Sequence, residues 1–160
     1  MKPLLALLLA LLIPAIAPAD SPTNKPSNAP PISQQVRDVY RLWADAFEKR
    51  DLDGMMSHYD RAMHFSMQGQ PDQNFEQVRA SFVQDFAARD KGDAWRFNIE
   101  KVYATENQAT VIGIWEYLLK GRSGKRETSL RIRSVDVLQR RDGRLKIVHT
   151  VNYPIASDTP

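Results

Sequence analysis

Residues 129–152 read SLRIRSVDVLQRRDGRLKIVHTVN, which is the pattern of two β-strands joined by a tight turn. Apolar and polar side chains alternate along residues 130–136 and again along 145–151, as expected for strands with one buried face. Between them, Asp142-Gly143 is a turn signal because glycine allows the positive φ that short hairpin turns need. This segment therefore predicts an antiparallel β-hairpin.

Three segments before the hairpin also have the alternation of β-strands. They cover residues 63–67, 95–99 and 109–117, and turn-forming residues follow the last two at 106–107 and 121–124. The strands after residue 94 follow one another with short turns, which is typical of an antiparallel meander. The sequence therefore predicts a sheet made of these strands and the hairpin.

Three segments have the spacing of amphipathic helices. The first covers residues 33–49, where large apolar side chains recur every three or four positions, and the second covers 51–59. The third begins at Asn74, a good N-cap with Gln77 in the capping-box position, and stops near Gly92. We therefore predict an α+β fold in which three N-terminal helices pack on one face of a curved antiparallel sheet.

The two ends of the chain differ from the domain in composition. Residues 1–19 have one lysine, an apolar run and small residues ending in an A-x-A site, the layout of a cleavable signal peptide. Residues 20–32 carry four prolines and predict a disordered Pro-rich linker. The domain is then expected over residues 33–155, followed by a flexible tail at 156–160.

The alternative for the N-terminal segment is a membrane anchor. Its apolar run at residues 4–13 is shorter than the roughly 20 residues that span a bilayer, and the segment after the run is interrupted by Pro14 and Pro18. We therefore predict an exported protein with no stable membrane span after cleavage of the signal. The periplasm is the preferred location, and secretion is the alternative.

Composition excludes several kinds of function. The chain has no cysteine, which excludes disulfides, thiolate catalysis and cysteine-based zinc sites. Its 22 basic and 19 acidic residues are too balanced to predict nucleic-acid binding. The three histidines have no helical i, i+4 partner of the kind that binds metal, so neither a metal site nor a cofactor is predicted.

Four short motifs resemble those of the NTF2-like superfamily, in its SnoaL-like or DUF4440-like branch. They are WADAF at residues 43–47, RDLDG at 50–54, FEQVR at 75–79 and RRDGRLKIVH at 140–149. The chain departs from the pattern at Leu145, where these proteins often carry tryptophan; the change keeps the position apolar. The resemblance covers about residues 36 to 154.

The resemblance implies a cone-shaped fold whose sheet curls around a pocket, commonly in a homodimer packed through the outer face of the sheet. It implies no single activity, because members include isomerases, cyclases, hydrolases, dehydratases and non-catalytic binding modules. The ketosteroid isomerase branch uses a tyrosine and an aspartate, for which this chain has Trp43 and Met67. Neither side chain transfers a proton, so that mechanism is not predicted here.

His149 is the candidate catalytic residue. It follows Leu145 and Ile147 in phase along the last strand, so we expect it to face the same interior as they do. A neutral imidazole in that position could act as a general base or donate a hydrogen bond to a ligand. The alternative is a structural histidine that is hydrogen-bonded within the core.

Aromatic and polar side chains on the predicted inner faces form a candidate ligand pocket. An aromatic wall with a few polar contacts suits a small apolar molecule, and the alternative is an ordinary solid core. The candidate pocket residues are Trp43, Phe47, Tyr59, Met67, Trp115, Tyr117, Arg133 and Asn152.

Arg131 and Arg133 share one face of their strand, with Glu116 on the strand before it. We interpret them as partners of a cross-strand ion pair on a dimer face, with binding of a substrate carboxylate as the alternative.

Two hypotheses for the function remain open. In the first, an exported domain binds a small, largely apolar molecule in a cone-shaped pocket, either as a binder alone or as an enzyme of the lyase, isomerase or hydrolase type. In the second, it is a non-catalytic homodimeric accessory or interaction module of the cell envelope, since no known catalytic pair is recognisable.

Overall fold

The computed structural model describes residues 30–89, 92–121 and 124–155. The predicted signal peptide, most of the predicted linker and the predicted tail lie outside the described residues. Of the linker, only residues 30–32 are described, and Ile32 already belongs to the first helix. Within the described ranges, no helix is long and apolar enough to cross a membrane.

The domain contains three helices and five strands in its described part. In chain order they are α1 (Ile32–Glu48), α2 (Leu52–Met56), β1 (Tyr59–Met67), α3 (Phe75–Ala88), β2 (Ala94–Ala104), β3 (Gln108–Lys120), β4 (Arg126–Arg141) and β5 (Arg144–Ile155).

The helix ends are set by local hydrogen bonds. Asp51 caps α2 by accepting a 2.8 Å hydrogen bond from the backbone N–H of Gly54. The predicted capping box of α3 is confirmed, because the side chain of Asn74 accepts from the Gln77 N–H and the side chain of Gln77 accepts from the Asn74 N–H. Helix α2 is shorter than predicted because Tyr59 already pairs with β5 and begins β1.

The five strands form one sheet in the order β1-β5-β4-β3-β2. The predicted antiparallel meander is confirmed for β2 to β5, whereas β1 runs parallel to β5. The expectation of a wholly antiparallel sheet after three N-terminal helices is therefore wrong in one respect. Strand β1 precedes α3, and it joins the edge beside the last strand through a long crossover, which is the connection that a parallel pair requires.

A β-bulge in β5 changes which side chains face inward. His149 pairs with Val137 and Ile147 pairs with Leu138, so Val148 is an extra residue on β5. The side chains buried before it are Leu145 and Ile147, and those buried after it are Thr150 and Asn152. Because side chains alternate strictly along a strand, one inserted residue reverses the phase for the rest of β5.

Helix α1 packs across the inner face of the sheet through aromatic side chains. The Trp43 ring lies 4.7 Å from that of Trp115 on β3, and the Tyr40 ring lies 4.0 Å from that of Phe97 on β2. Gly113 makes room for this layer, because a Cβ there would lie only 2.6 Å from the Asn98 carbonyl oxygen and from the Phe97 ring. Burial of each large side chain contributes roughly 1.5–3 kcal/mol.

Candidate functional site

A cavity of about 320 Å³ lies between the inner face of the sheet, α1, α3 and the turn after β1. Its wall is mainly apolar and includes three indoles. The large apolar side chains that line it are Trp43, Tyr59, Phe65, Met67, Phe82, Trp95 and Trp115. The fold therefore leaves the space between helices and sheet partly empty instead of closing it into a solid core.

Five of the eight candidate pocket residues line this cavity, one each from α1, β3 and β5 and two from β1. They are Trp43, Tyr59, Met67, Trp115 and Asn152. The other three lie elsewhere. Phe47 packs between the Trp43 and Phe86 rings, the Tyr117 hydroxyl donates a 2.6 Å hydrogen bond to Asp93, and Arg133 forms an ion pair with Glu100 at 3.1 Å.

His149 does not face the cavity, so the expectation that it lies in the interior is wrong. The bulge at Val148 turns it to the other face of the sheet, in phase with the half-buried Val151. There its ring stacks on that of His64 with centroids 5.2 Å apart, and His64 lies 3.1 Å from an Asp72 carboxylate oxygen. The periodicity alone could not reveal this, because a bulge has no unambiguous sequence signal here.

Asp136 on β4 lies on the cavity wall, and sequence reasoning did not single it out as functional. Its side chain is 1% exposed, and it accepts hydrogen bonds from the Tyr40 hydroxyl at 2.9 Å and the Ser134 hydroxyl at 2.8 Å. Burial raises the pKa of Asp136 to about 6, although hydrogen bonds from Ser134, Tyr40 and Thr150 act in the opposite direction. The carboxyl group can therefore hold or release a proton near neutral pH.

A signal for Asp136 was present in the sequence. It continues the alternation of Leu130, Ile132 and Ser134, which places all four side chains on one face of β4. A carboxylate in phase with apolar residues is informative, because aspartate is almost never fully buried unless its oxygens are paired.

Buried polar atoms of the cavity wall lack partners. The Asn152 amide oxygen and the Trp43 and Trp95 indole N–H groups make no hydrogen bond of normal geometry to any described residue. Burial raises the pKa of Tyr59, and its contact with the Trp43 indole acts in the opposite direction. Orphaned polar atoms in an interior cost free energy, and a ligand in the cavity can satisfy them.

The mouth of the cavity carries a charge pair. Arg89, at the end of α3, lies 3.5 Å from Asp85 and stacks over the Tyr117 ring at 4.2 Å. Leu130, across the mouth on β4, is 37% exposed. Because Arg89 and Asp85 lie next to each other, their charges neutralise each other at the entrance.

A helix layer on one face of a five-stranded curved sheet, with a cavity between the layers, is the architecture of the NTF2-like class of α+β proteins. Within that class the chain belongs to the SnoaL-like family, since the family's domain model matches residues 36–153. The resemblance found in the sequence motifs is thereby confirmed. No curated protein matches the chain.

Solved structures agree on the fold at low sequence identity. An NTF2-like protein of Shewanella oneidensis MR-1 is 16% identical, with a TM-score of 0.65 over 77% of this chain and 99% of its own. An NTF2-like protein with a cystatin-like fold from Novosphingobium aromaticivorans is 11% identical, with a TM-score of 0.66 over 79% of this chain and 84% of its own. A Mycobacterium tuberculosis protein is 11% identical, with a TM-score of 0.68 over 82% of this chain and 80% of its own.

The raised pKa of Asp136 predicts a pH-dependent stability difference. In the folded state the Asp136 carboxyl group holds its proton up to about pH 6, whereas the ordinary pKa of aspartate is 3.8. The stabilisation that comes from this bound proton is therefore fully present below pH 3.8 and is lost as the pH rises through 6. We expect wild-type protein to lose on the order of 3 kcal/mol of unfolding free energy relative to Asp136→Asn between about pH 4 and pH 7.

Urea unfolding of both proteins across this range measures the difference. Asp45→Asn, which removes an exposed carboxylate on α1, is the matched control. A difference between wild type and Asp136→Asn that stays constant with pH would show that the carboxyl group is not perturbed.

Proposed function

We propose that this domain binds a small, largely apolar molecule in the cavity between its helices and its sheet. The observation that carries the proposal is a cavity of about 320 Å³ whose wall combines three indoles with one fully buried carboxyl group. Ligand sites in proteins typically measure about 300–1,000 Å³ and are mostly apolar with few polar groups.

Filling the cavity from α3 tests this proposal. Val78 is buried and lines the cavity, so Val78→Phe should occupy the space that a ligand needs. Val83 lies on the exposed side of the same helix, and Val83→Phe is the matched control. We expect wild type and Val83→Phe to bind the neutral probe N-phenyl-1-naphthylamine, with Val78→Phe at least about tenfold weaker.

Enhancement of the probe's fluorescence measures the affinity, and circular dichroism verifies that each variant is folded. Equal binding by Val78→Phe and wild type would place the probe outside the cavity and contradict the proposal.

Lyase, isomerase or hydrolase activity stays a prediction for this cavity, and it now rests on Asp136 in place of His149. A carboxyl group with a pKa of about 6 meets the basic requirement of general acid–base catalysis near neutral pH. Asp136→Asn removes the titratable carboxyl group and keeps the shape of the side chain. If the cavity is catalytic, turnover of a substrate should therefore fall by at least about a hundredfold, while unchanged turnover would exclude this role.

We also propose that residues 1–19 direct export and that the domain works in the periplasm. The proposal is supported by the apolar run and the A-x-A site in the sequence. Intact mass of the protein from a periplasmic extract should correspond to a chain that begins at Asp20. A chain that keeps Met1 and remains in the cytoplasm would contradict export.

Homodimerisation through the outer face of the sheet is the second candidate function, and one row of side chains favours it. Ile112, Val135 and Val151 are register neighbours on β3, β4 and β5, and all three are only half-buried. Glu116 beside this row lies 2.6 Å from Arg96 and 3.8 Å from Arg131. An apolar strip flanked by both signs of charge is self-complementary about a two-fold axis.

Sedimentation velocity tests the dimer. Val135→Lys places a charge in the centre of the apolar row and should convert the protein to a monomer, because an unpaired charge is costly in an interface. Val83→Lys adds the same charge on the exposed side of α3 and should sediment as wild type does. A wild-type protein that is monomeric at high concentration would overturn the proposal.

A further inference from the structure

The inner end of the cavity carries a negative charge without a counter-ion. Among the described residues that line the cavity, only Asp85, Arg89 and Asp136 carry charges, and the first two pair with each other at the mouth. The hydrogen-bond partners of Asp136 are the hydroxyl groups of Tyr40, Ser134 and Thr150. A buried carboxylate without a cation is costly, and a ligand that brings a positive charge removes that cost.

Asp136 and Asn152 present hydrogen-bond acceptors on neighbouring strands. Asp136 pairs in register with Thr150, and Ser134 pairs with Asn152, so the two side chains are diagonal neighbours on the inner face of β4 and β5. The Asn152 amide oxygen is buried without a donor in the described part of the chain, and the residue is 6% exposed. This oxygen therefore lacks a donor, and a ligand group with several N–H bonds would supply one to it and another to Asp136.

Aromatic rings surround the same space. Trp43 and Trp115 line the cavity with ring centroids 4.7 Å apart, and Tyr59 lines it as well. The faces of aromatic rings attract cations, indole most strongly, and the attraction is larger where water is excluded. Aromatic rings and a buried carboxyl group in one cavity provide the two features that stabilise an organic ammonium ion.

The charge pair at the mouth lies well away from this end. Tyr117, under the Arg89 guanidinium, pairs in register with Leu130, which is six residues before Asp136 on β4. At the usual strand rise this corresponds to about 20 Å. Arg89 therefore does not neutralise Asp136, and an anionic ligand would meet repulsion as it moved inward.

We propose that the ligand of this cavity is an aromatic or otherwise apolar amine, bound as a cation with its ammonium N–H groups directed at Asp136 and Asn152. The inference rests on the proposed small-molecule function of the same cavity and specifies its ligand class. A neutral alcohol could donate one hydrogen bond to Asp136 but would leave its charge without a counter-ion. Specificity then comes mainly from the charge of the ligand.

Two probes of equal heavy-atom count separate charge from shape. Phenethylamine is cationic near neutral pH, and 2-phenylethanol replaces its ammonium with a neutral hydroxyl. Quenching of tryptophan fluorescence measures both affinities on the full chain. At about pH 7.5 we expect the amine to bind roughly tenfold tighter than the alcohol, the scale of a desolvated cation–π contact combined with an ion pair.

Three variants locate the charge that the amine recognises. Asp136→Asn should reduce the preference for the amine to about one while binding of the alcohol persists, because only the charge is removed. Asp45→Asn, on the exposed side of α1, should keep the full preference. Loss of the preference in Asp85→Asn and its survival in Asp136→Asn would overturn the proposal, since the amine would then lie at the mouth.

Wild-type protein alone also tests the inference, should Asp136→Asn fail to fold. The groups that face Asp136 are the hydroxyls of Tyr40, Tyr59, Ser134 and Thr150, and burial holds the pKa of both tyrosines above its ordinary value. Asp136 is therefore the group that changes charge as the pH falls through about 6. The preference for the amine should disappear below that pH, although the amine itself stays charged.

The outcomes distinguish the inference from the function on which it rests. Binding of the alcohol as tightly as the amine at about pH 7.5 would overturn the amine inference and leave small-molecule binding intact. Absence of binding by both probes, together with failure of N-phenyl-1-naphthylamine to bind, would overturn both.

Discussion

The contact between Trp43 of α1 and Trp115 of β3 sets the spacing between the helix layer and the sheet. With ring centroids 4.7 Å apart, two large indoles hold the helix at a distance that the smaller side chains farther along the sheet do not fill. Gly113, two residues before Trp115, admits the Phe97 ring close to the β3 backbone. The cavity results from this spacing, because protein interiors otherwise pack to the density of organic crystals.

The polar atoms of the cavity wall are poorly satisfied within the described part of the chain. A buried carboxylate with hydroxyl partners, an amide oxygen without a donor and indole N–H groups without acceptors all reduce the stability of the domain. Violations of good local packing concentrate at functional sites in natural proteins. Here they line one space, whereas Met55 and Leu138, elsewhere in the described core, are apolar and fully buried.

Much of the fold was predictable because local sequence patterns specify its helices and strands. The spacing in α1, the capping box of Asn74 and Gln77, and the strict alternation in β3 each depend on neighbours within a few residues. The prediction for His149 failed because one extra residue, Val148, reverses the phase of β5. The parallel pairing of β1 with β5 was missed for a related reason, since it joins segments more than eighty residues apart and leaves no local signal.

The sequence by itself determined the family, the order of helices and strands, and the aromatic faces that look onto the sheet, because periodicity and capping act over short distances. Only the tertiary structure decided that these faces enclose a cavity, that Asp136 is part of its wall, and that His149 stacks on His64 on the opposite side of the sheet. The reason is geometric: the register of pairing, the position of a bulge and the space between two layers are properties of distant segments brought together. No periodicity within one segment can specify them.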